Sequence, residues 1–518
     1  MKHESLKKLS LITLLLLTLA SCSNQTSTST EPVVTQQKIN FAVESLTPRA
    51  NELLQKTGVP GMAIAVVHKN KVIFAKGFGV RTIGTDTPVD ADTVFQLASL
   101  SKSLSSTVAA AVVGEGRVQW DDPIAKYLPG FTLSNAEIGA KVTIADMFAH
   151  RSGLPGEAGD ALQVLGCKRM EVIDRLKVEP LYPYLTHYDY TNFGITTGAQ
   201  AVANATGLPW EVLSQQLLYD RLGMASTSST WADYNNRANK SAIHFKNKQG
   251  QWIVSSMNDD VASPAGGASS SVNDMAKWMM LQLNGGSYRN QHIIDKAALA
   301  QTHEPHVRMQ PATATRSATY YGLGMVITND STGRLRLNHS GGFPQGAATT
   351  FELLPSENLG IVILTNGVPM GLPETLAQEF FDIVEYGSVQ RDWYSEIFGL
   401  FHAMDLAQGK LAGINPPSPP VPAPPENDYV GNYFSQIYGP ATIQRSGNDL
   451  LLTLKPCETE STFTLSHWSG NTFGFPFGHY VSSPTSALDF TPGNGNQAAK
   501  ITIEYLDTTG LGAFTKIP

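Results

Sequence analysis

The sequence predicts an α+β domain over residues 39–412, followed by a small all-β domain over residues 427–518. Three observations predict this. Strand-like runs stand at both ends of the large region, with a mainly helical pattern at 120–290 between them, which is the α+β arrangement. The run Asn415-Pro416-Pro417-Ser418-Pro419-Pro420-Val421-Pro422-Ala423-Pro424-Pro425 then interrupts the chain. Proline lacks the amide hydrogen and fixes φ, so residues 413–426 read as an extended, semi-rigid spacer. Beyond the spacer no long helical period exists. Short strands alternate there with Gly, Asn and Pro turns, as in a small antiparallel barrel or sandwich.

The elements follow in order. Lys2, Lys7 and Lys8 precede an apolar run at 11–19. That run is too short for a spanning helix, which needs roughly 20 residues, so 1–21 read as a secretory signal. It ends in Leu19-Ala20-Ser21-Cys22, which resembles a bacterial lipobox. Cleavage before Cys22 makes it the lipid-bearing first residue, and acyl chains contributing about 0.8 kcal/mol per buried CH₂ hold a domain on a membrane. The expectation is an exported lipoprotein of the bacterial cell envelope, periplasmic or on the outer face. Residues 22–38, rich in Ser, Thr and Gln, read as a flexible tether. A helix is expected at 42–56, then a hairpin of strands 61–67 and 71–80 turning at Lys69-Asn70. An apolar helix at 100–113 stops at Gly114-Glu115-Gly116. Strands are expected at 322–328, 334–339, 347–354 and 360–365, and a helix at 373–386. In the last domain, strands are expected at 442–444, 450–454, 462–465 and 500–505.

Composition excludes some functions. The 518 residues are 42% hydrophobic, ample for a core, and carry a formal net charge of −7. That balance gives no general reason to bind nucleic acid or an acidic membrane surface. Three cysteines are too few for a disulfide framework. Apart from Cys22, Cys167 and Cys457 fall in different predicted domains, and no bridge between them is expected.

Three short motifs carry the chemistry: Ser99-Leu100-Ser101-Lys102, Tyr190-Thr191-Asn192 and His339-Ser340-Gly341. Each alone is weak; S-x-x-K recurs at Ser5 and Lys8, and Y-x-N recurs at Tyr234-Asn235-Asn236. Ser99 opens the apolar helix, and Lys102 lies one turn on, within reach of its hydroxyl. A serine hydroxyl is a poor nucleophile until a base takes its proton. Lysine, with a reference pKa of about 10.4, becomes that base only if burial lowers it. Equally, Ser99 can be a helix cap and Lys102 a solvated side chain. Tyr190 supplies a phenol able to accept and return a proton, and Asn192 an amide with one acceptor and two donors. A buried tyrosine and a loop asparagine fit the same pattern. His339 can supply positive charge or a donor. Gly341 and Gly342 allow a substrate to lie along the strand as an added one. The Gly342 and Ser99 backbone N–H groups can form an oxyanion hole. A plain strand-end turn fits His-Ser-Gly-Gly as well.

In that order the motifs resemble the serine β-lactamase and penicillin-binding protein superfamily, on its class C side. The neighbourhoods Phe95-Gln96-Leu97-Ala98-Ser99, Tyr190-Thr191-Asn192-Phe193-Gly194, His150-Arg151-Ser152-Gly153-Leu154 and Ser263-Pro264-Ala265-Gly266-Gly267 agree, over about 45–385. The resemblance implies an antiparallel sheet flanked by helices, with a helical subdomain and the site between them. It implies Ser99 as the acylated nucleophile and Lys102 as its proton partner. Tyr190 becomes general base and acid, and Asn192, His339, Ser340 and Gly341 become substrate ligands. No cofactor and no metal are implied, and no H-E-x-x-H occurs. Class C β-lactamases carry lysine in the third motif. His339 there is similar to D-alanyl-D-alanine carboxypeptidases and D-aminopeptidases, and with a reference pKa of about 6.5 it does not guarantee a cation at neutral pH, which puts recognition of a substrate carboxylate in doubt. The last domain resembles the lipocalin-like barrels of some relatives. The expected function is cleavage of an amide in a small or D-amino-acid peptide through a Ser99 acyl-enzyme. The alternatives are a β-lactamase, an esterase of the same fold and a slowly deacylating penicillin-binding sensor. A Ser-His-Asp hydrolase is disfavoured because no G-x-S-x-G occurs.

Overall fold

A computed structural model describes residues 33–247, 249–313, 317–405, 409–477, 485–493 and 499–518. The expected signal segment, Cys22 and residues 22–32 of the tether lie outside the described residues. In chain order the large domain contains α1 (Gln36–Thr57), β1 (Gly61–His68), β2 (Lys71–Gly79), α2 (Leu100–Gly114), α3 (Ile144–Phe148), α4 (Asp160–Val164) and α5 (Arg169–Ile173). Next come α6 (Asn192–Thr206), α7 (Ser263–Gly266), α8 (Val272–Leu283), β3 (Val307–Gln310), β4 (Thr319–Tyr321), β5 (Val326–Asn329), β6 (Leu335–Phe343), β7 (Ala347–Leu354) and β8 (Leu359–Thr365). Two helices, α9 (Leu372–Tyr386) and α10 (Trp393–Asp405), close it.

The eight strands form one antiparallel sheet in the order β2-β1-β8-β7-β6-β5-β4-β3. The N-terminal hairpin therefore joins strands drawn from some 300 residues further on, Met62 facing Thr365 and His68 facing Leu359. Antiparallel sheets commonly leave one face to water, which gives alternating polarity. Here every residue of β1, β7 and β8 is buried. One face packs Met62, Ile64, Ile361 and Ile363 against α1 and α9. The other packs Ala63, Ala65, Phe351, Val362 and Leu364 against the α2 and α8 side.

Helix α1 starts at Gln36, six residues before the expected 42, and takes in the end of the expected tether. Thr35 caps it by accepting from the Lys38 amide, and the stripe Ile39, Ala42, Leu46, Ala50 and Leu53 seats it on the sheet. Of the strand expected at 322–328, only 326–328 is strand, in β5, and 322–325 form the turn from β4. Gly324, at φ 72°, makes the turn, and a Cβ there would come within 2.5 Å of the Lys102 carbonyl oxygen. The turn is thus pressed onto α2, and Ser103 Oγ donates to the Gly324 carbonyl at 2.6 Å. Helix α10 was not foreseen.

The C-terminal domain is a closed barrel of β9 (Gly431–Ser435), β10 (Gly439–Ser446), β11 (Asp449–Leu454), β12 (Ser461–Ser469), β13 (Thr472–Pro476), β14 (Thr485–Thr491), β15 (Lys500–Ile503) and β16 (Ala513–Ile517). Pairing of β9 with β16 closes the ring, leaving no free sheet edge. The proline-rich spacer is fastened to it, with the Val421 amide donating to Ser469 Oγ and the Gly470 amide to the Val421 carbonyl. The expectation of unbridged cysteines is corrected: Cys167 and Cys457 form a disulfide, their Cα atoms 5.4 Å apart across 290 residues of sequence. The error lay in treating separate domains as distant surfaces. The barrel sits against the α4–α5 segment, where Lys168 Nζ also meets Glu458 at 2.7 Å and Arg175 donates to the Pro456 carbonyl.

Trp278 on α8 is fully buried, edge-on to Phe351, with its indole N–H donating to Thr107 Oγ1 at 3.0 Å. It ties the sheet to α2. Trp278→Ala should lower stability by about 3–5 kcal/mol. Equilibrium urea unfolding of the large domain measures this, and a loss under 1 kcal/mol, on the order of a surface change, would contradict the packing described.

Candidate active site

The turn that carries Ser99 is built from a short strand and a strained residue. Phe95 and Gln96 pair with Ser270 and Ser269, and the chain then reverses into α2 through Ala98, whose φ is 48°. A left-handed alanine is costly and persists only where surrounding contacts impose it. Here Ser101 Oγ donates to the Ala98 carbonyl and accepts from the Ala268 amide. Ser99 follows with helical dihedrals, and its hydroxyl caps nothing. The cap reading of Ser99 is therefore set aside.

Lys102 lies one turn further, wholly buried. Its Nζ is 3.2 Å from Ser99 Oγ, 2.8 Å from Asn192 Oδ1 and 2.9 Å from the Ala265 carbonyl oxygen. Those partners stand at the N-cap of α2, at the first residue of α6 and within α7, so three separate elements converge on one amine. Burial pushes the Lys102 pKa down to about 7, against the opposing pull of the Asp259 and Asp160 carboxylates. The solvated-lysine reading is excluded by the same burial.

Tyr190 is buried, with its ring centroid 4.6 Å from Lys102 Nζ. The His150 ring packs on it at 4.6 Å, and the His339 ring lies 6.3 Å away. His339 corrects one expectation. Burial, then the nearby Lys102 charge, lower its pKa to about 3, so it is neutral and supplies no positive charge. Its ring is also committed. Nδ1 is 2.7 Å from the Ser340 carbonyl oxygen, which only accepts, so Nδ1 carries the hydrogen. Nε2 then accepts from the Tyr321 hydroxyl at 2.9 Å. Ser340 Oγ pairs with Thr350 Oγ1 at 3.1 Å and lies beside the buried Glu374. Gly341 packs directly on the turn that carries Ser99. A Cβ there would fall 2.5 Å from the Leu97 carbonyl oxygen and 2.8 Å from the Ser99 nitrogen. Gly342, next along β6, pairs with Ala348 of β7. The second Y-x-N match is elsewhere, with Tyr234 bonded through its hydroxyl to the Ser241 carbonyl.

Several residues at the site carry no motif signal. Asp160 Oδ2 accepts from Asn192 Nδ2 at 3.0 Å, and Asp259 Oδ1 accepts from Gln163 Nε2. Burial raises both carboxyls, Asp160 to about 6 and Asp259 to about 7. His150, at φ 57°, accepts the Thr191 amide on Nδ1 at 3.1 Å, which fixes the start of α6. Burial holds it neutral. His150 stood inside a quoted neighbourhood without an assigned part. Asp160 and Asp259 stand at no periodic spacing from Lys102, so nothing in the sequence marks them.

With this geometry in hand, comparison with known proteins decides the family. The Beta-lactamase family profile matches residues 47–379. The chain belongs to the Beta-lactamase family. It is a serine hydrolase by fold and relatives. A Beta-lactamase relative in Escherichia coli K12, D-alanyl-D-alanine-carboxypeptidase/endopeptidase AmpH, is 24% identical over 356 residues, covering 66% of this chain and 89% of that protein. The unguisins hydrolase ungD' of Aspergillus campestris is 25% identical over 426 residues, covering 76% of each chain. The octameric penicillin-binding protein homologue from Pyrococcus abyssi superposes with a TM-score of 0.60 at 18% identity, covering 92% of this chain and all of that one. It shows the shared fold. Residues 415–512 match a domain of unknown function, DUF3471.

The contact of Gly341 with the Ser99 turn gives a prediction. Gly341→Ala must push β6 from rigid backbone, costing about 1–3 kcal/mol, and should slow acylation of Ser99 together with the loss of stability. Unchanged urea stability and unchanged acylation by a chromogenic acyl ester would disprove the contact.

Proposed function

We propose that the protein cleaves an amide bond in a small or D-amino-acid peptide through an acyl-enzyme on Ser99. The observation that carries this reading is the cage around Lys102. Asn192 Oδ1 and the Ala265 carbonyl can only accept hydrogen bonds. When Lys102 loses a proton, its two remaining hydrogens satisfy those acceptors, and its lone pair is left facing Ser99 Oγ. The neutral amine is then the base that takes the serine proton as the hydroxyl attacks. A lysine pKa near the working pH suits that task. Tyr190, against Lys102, gives its phenolic proton to the leaving nitrogen and is made good by the proton that Lys102 took from Ser99. The Ser99 and Gly342 N–H groups stabilise the oxyanion, and a substrate lies along β6 beside Ser340 and Gly341. The carboxypeptidase and endopeptidase names of the Escherichia coli relative support a peptide substrate. An esterase is the second reading, favoured by one observation. His339 is neutral, so the third motif offers no cation to a substrate carboxylate. We also propose that Cys22 carries a lipid anchor, which the Lys2, Lys7, Lys8 and Leu19-Ala20-Ser21-Cys22 pattern supports.

The test is intact-mass measurement after brief exposure, in parallel, to a penicillin, a D-amino-acid anilide and a small acyl ester. An adduct on Ser99, absent in Ser99→Ala, is expected with at least one. No adduct with any would overturn the mechanism. Adducts and turnover with the ester alone would move the assignment to the esterase. Acylation should also rise with pH through about 7, because protonated Lys102 has no lone pair to offer. A flat profile between pH 5.5 and 9 removes Lys102 as the base. Tyr234→Phe should leave acylation unchanged.

A further inference from the structure

The acidic groups behind the lysine cage, Asp160 and Asp259, lie outside the mechanism above. An asparagine amide has nearly the same shape after a half-turn, so shape alone does not decide which atom faces Lys102. The flipped amide presents Nδ2 to Lys102, donor to donor, and frees Lys102 from one of its two acceptors. What opposes the flip is Asp160, whose Oδ2 accepts from Nδ2 at 3.0 Å. Its other oxygen, Oδ1, is buried without a hydrogen-bond partner among the described residues.

Asp160 is held from the other side. It begins α4 after Gly159, at φ 88°, where a Cβ would strike Val172 and Phe193. The buried Glu179 carboxylate lies beside the Gly159 backbone and beside Thr509 of the barrel. The Cys167–Cys457 bridge lies just beyond α4, and Arg175 Nη1 donates to Cys457 Sγ at 3.0 Å. Residues 159–179 therefore touch the catalytic asparagine on one side and the barrel on the other.

We propose that Asp160 is a positioning residue for Lys102, acting through the Asn192 amide, and that the barrel fixes it there through the clamp formed by Cys167, Cys457, Glu179 and Thr509. This rests on the Ser99–Lys102 reading of the site. The groups that bear on Lys102 are Asp160, Asp259, His150, His339 and Tyr190. Those that bear on Asp160 are Asn192, Lys102, Glu179 and Asp259. Of the pair that raises Lys102, only Asp160 touches Asn192.

Two readouts test it on the full chain. The first needs no substrate: NMR titration of lysine labelled at Cε and Nζ, with the Lys102 signal assigned by its loss in Lys102→Ala. Asp160→Asn and Asp160→Ala should both move the Lys102 midpoint below its wild-type value, because a charge that favours the ammonium has gone. A merely loosened site would let water in and move the midpoint up. The second readout is Ser99 acylation. Asp160→Asn keeps an acceptor for Nδ2, whereas Asp160→Ala leaves the amide free to flip and should slow acylation on the order of ten- to a hundredfold. Cys457→Ser should slow it in the same direction, and the Asp160→Ala/Cys457→Ser pair should be no slower than Asp160→Ala alone. An unmoved or raised midpoint in both Asp160 variants overturns the positioning role. Fully additive losses in the double variant overturn the barrel's part. Absence of acylation in the wild-type protein counts against the proposed function and leaves the titration to decide the role of Asp160.

Discussion

A lysine amine without access to water must find all its partners in the protein, and Lys102 finds them on three separate segments. Removing a charge from water is costly unless every donor is met, and here the cost appears as a pKa drawn down to about 7. The arrangement holds only if α2, α6 and α7 keep register to within a fraction of an ångström. A row of hydroxyls on α2 does this work. Ser101 bonds the Ala268 amide, Ser103 the Gly324 carbonyl and Ser105 the Pro264 carbonyl. Each replaces what would otherwise be an unsatisfied backbone group in a dry interior, so the helix is fixed by polar studs within an apolar surround.

The barrel extends this logic. Its strands close on themselves and need no help from the hydrolase domain to satisfy their ladders. What joins the two is local: a disulfide, one surface ion pair, an arginine reaching the Pro456 carbonyl, and a buried glutamate shared with Thr509. All of these fall on residues 167–179, in the segment that follows Asp160. A second domain that grips the chain there acts on the site through geometry, without entering it.

Much of this was legible beforehand, for identifiable reasons. Ser99, Lys102, Tyr190 and Asn192 sit on the first turns of helices, where short motifs and apolar periodicity are strongest, and the structure gathers them. The two-domain order and the strands at 347–354 and 360–365 follow from long apolar runs that only a strand covered on both faces explains. Other features depend on contacts far apart in sequence. The protonation of His339 is decided by burial and by the Lys102 charge, the break at Gly324 by the backbone of Lys102, and the Cys167–Cys457 bridge by how two domains meet. Asp160 and Asp259 are ordinary acidic residues in sequence and become part of the site only through folding. The early start of α1 was missed because its first apolar residue, Ile39, comes after a polar turn capped by Thr35.

The neutrality of His339 bears on encounter as well as on chemistry. A chain with a formal charge of −7 and an uncharged third motif sets up no attractive field for an anion approaching from solution. Anionic molecules gain nothing from long-range steering, while neutral or cationic ones lose nothing. An anion meets a weak like-charge repulsion that added salt relieves, whereas the encounter of a neutral molecule would be largely indifferent to ionic strength.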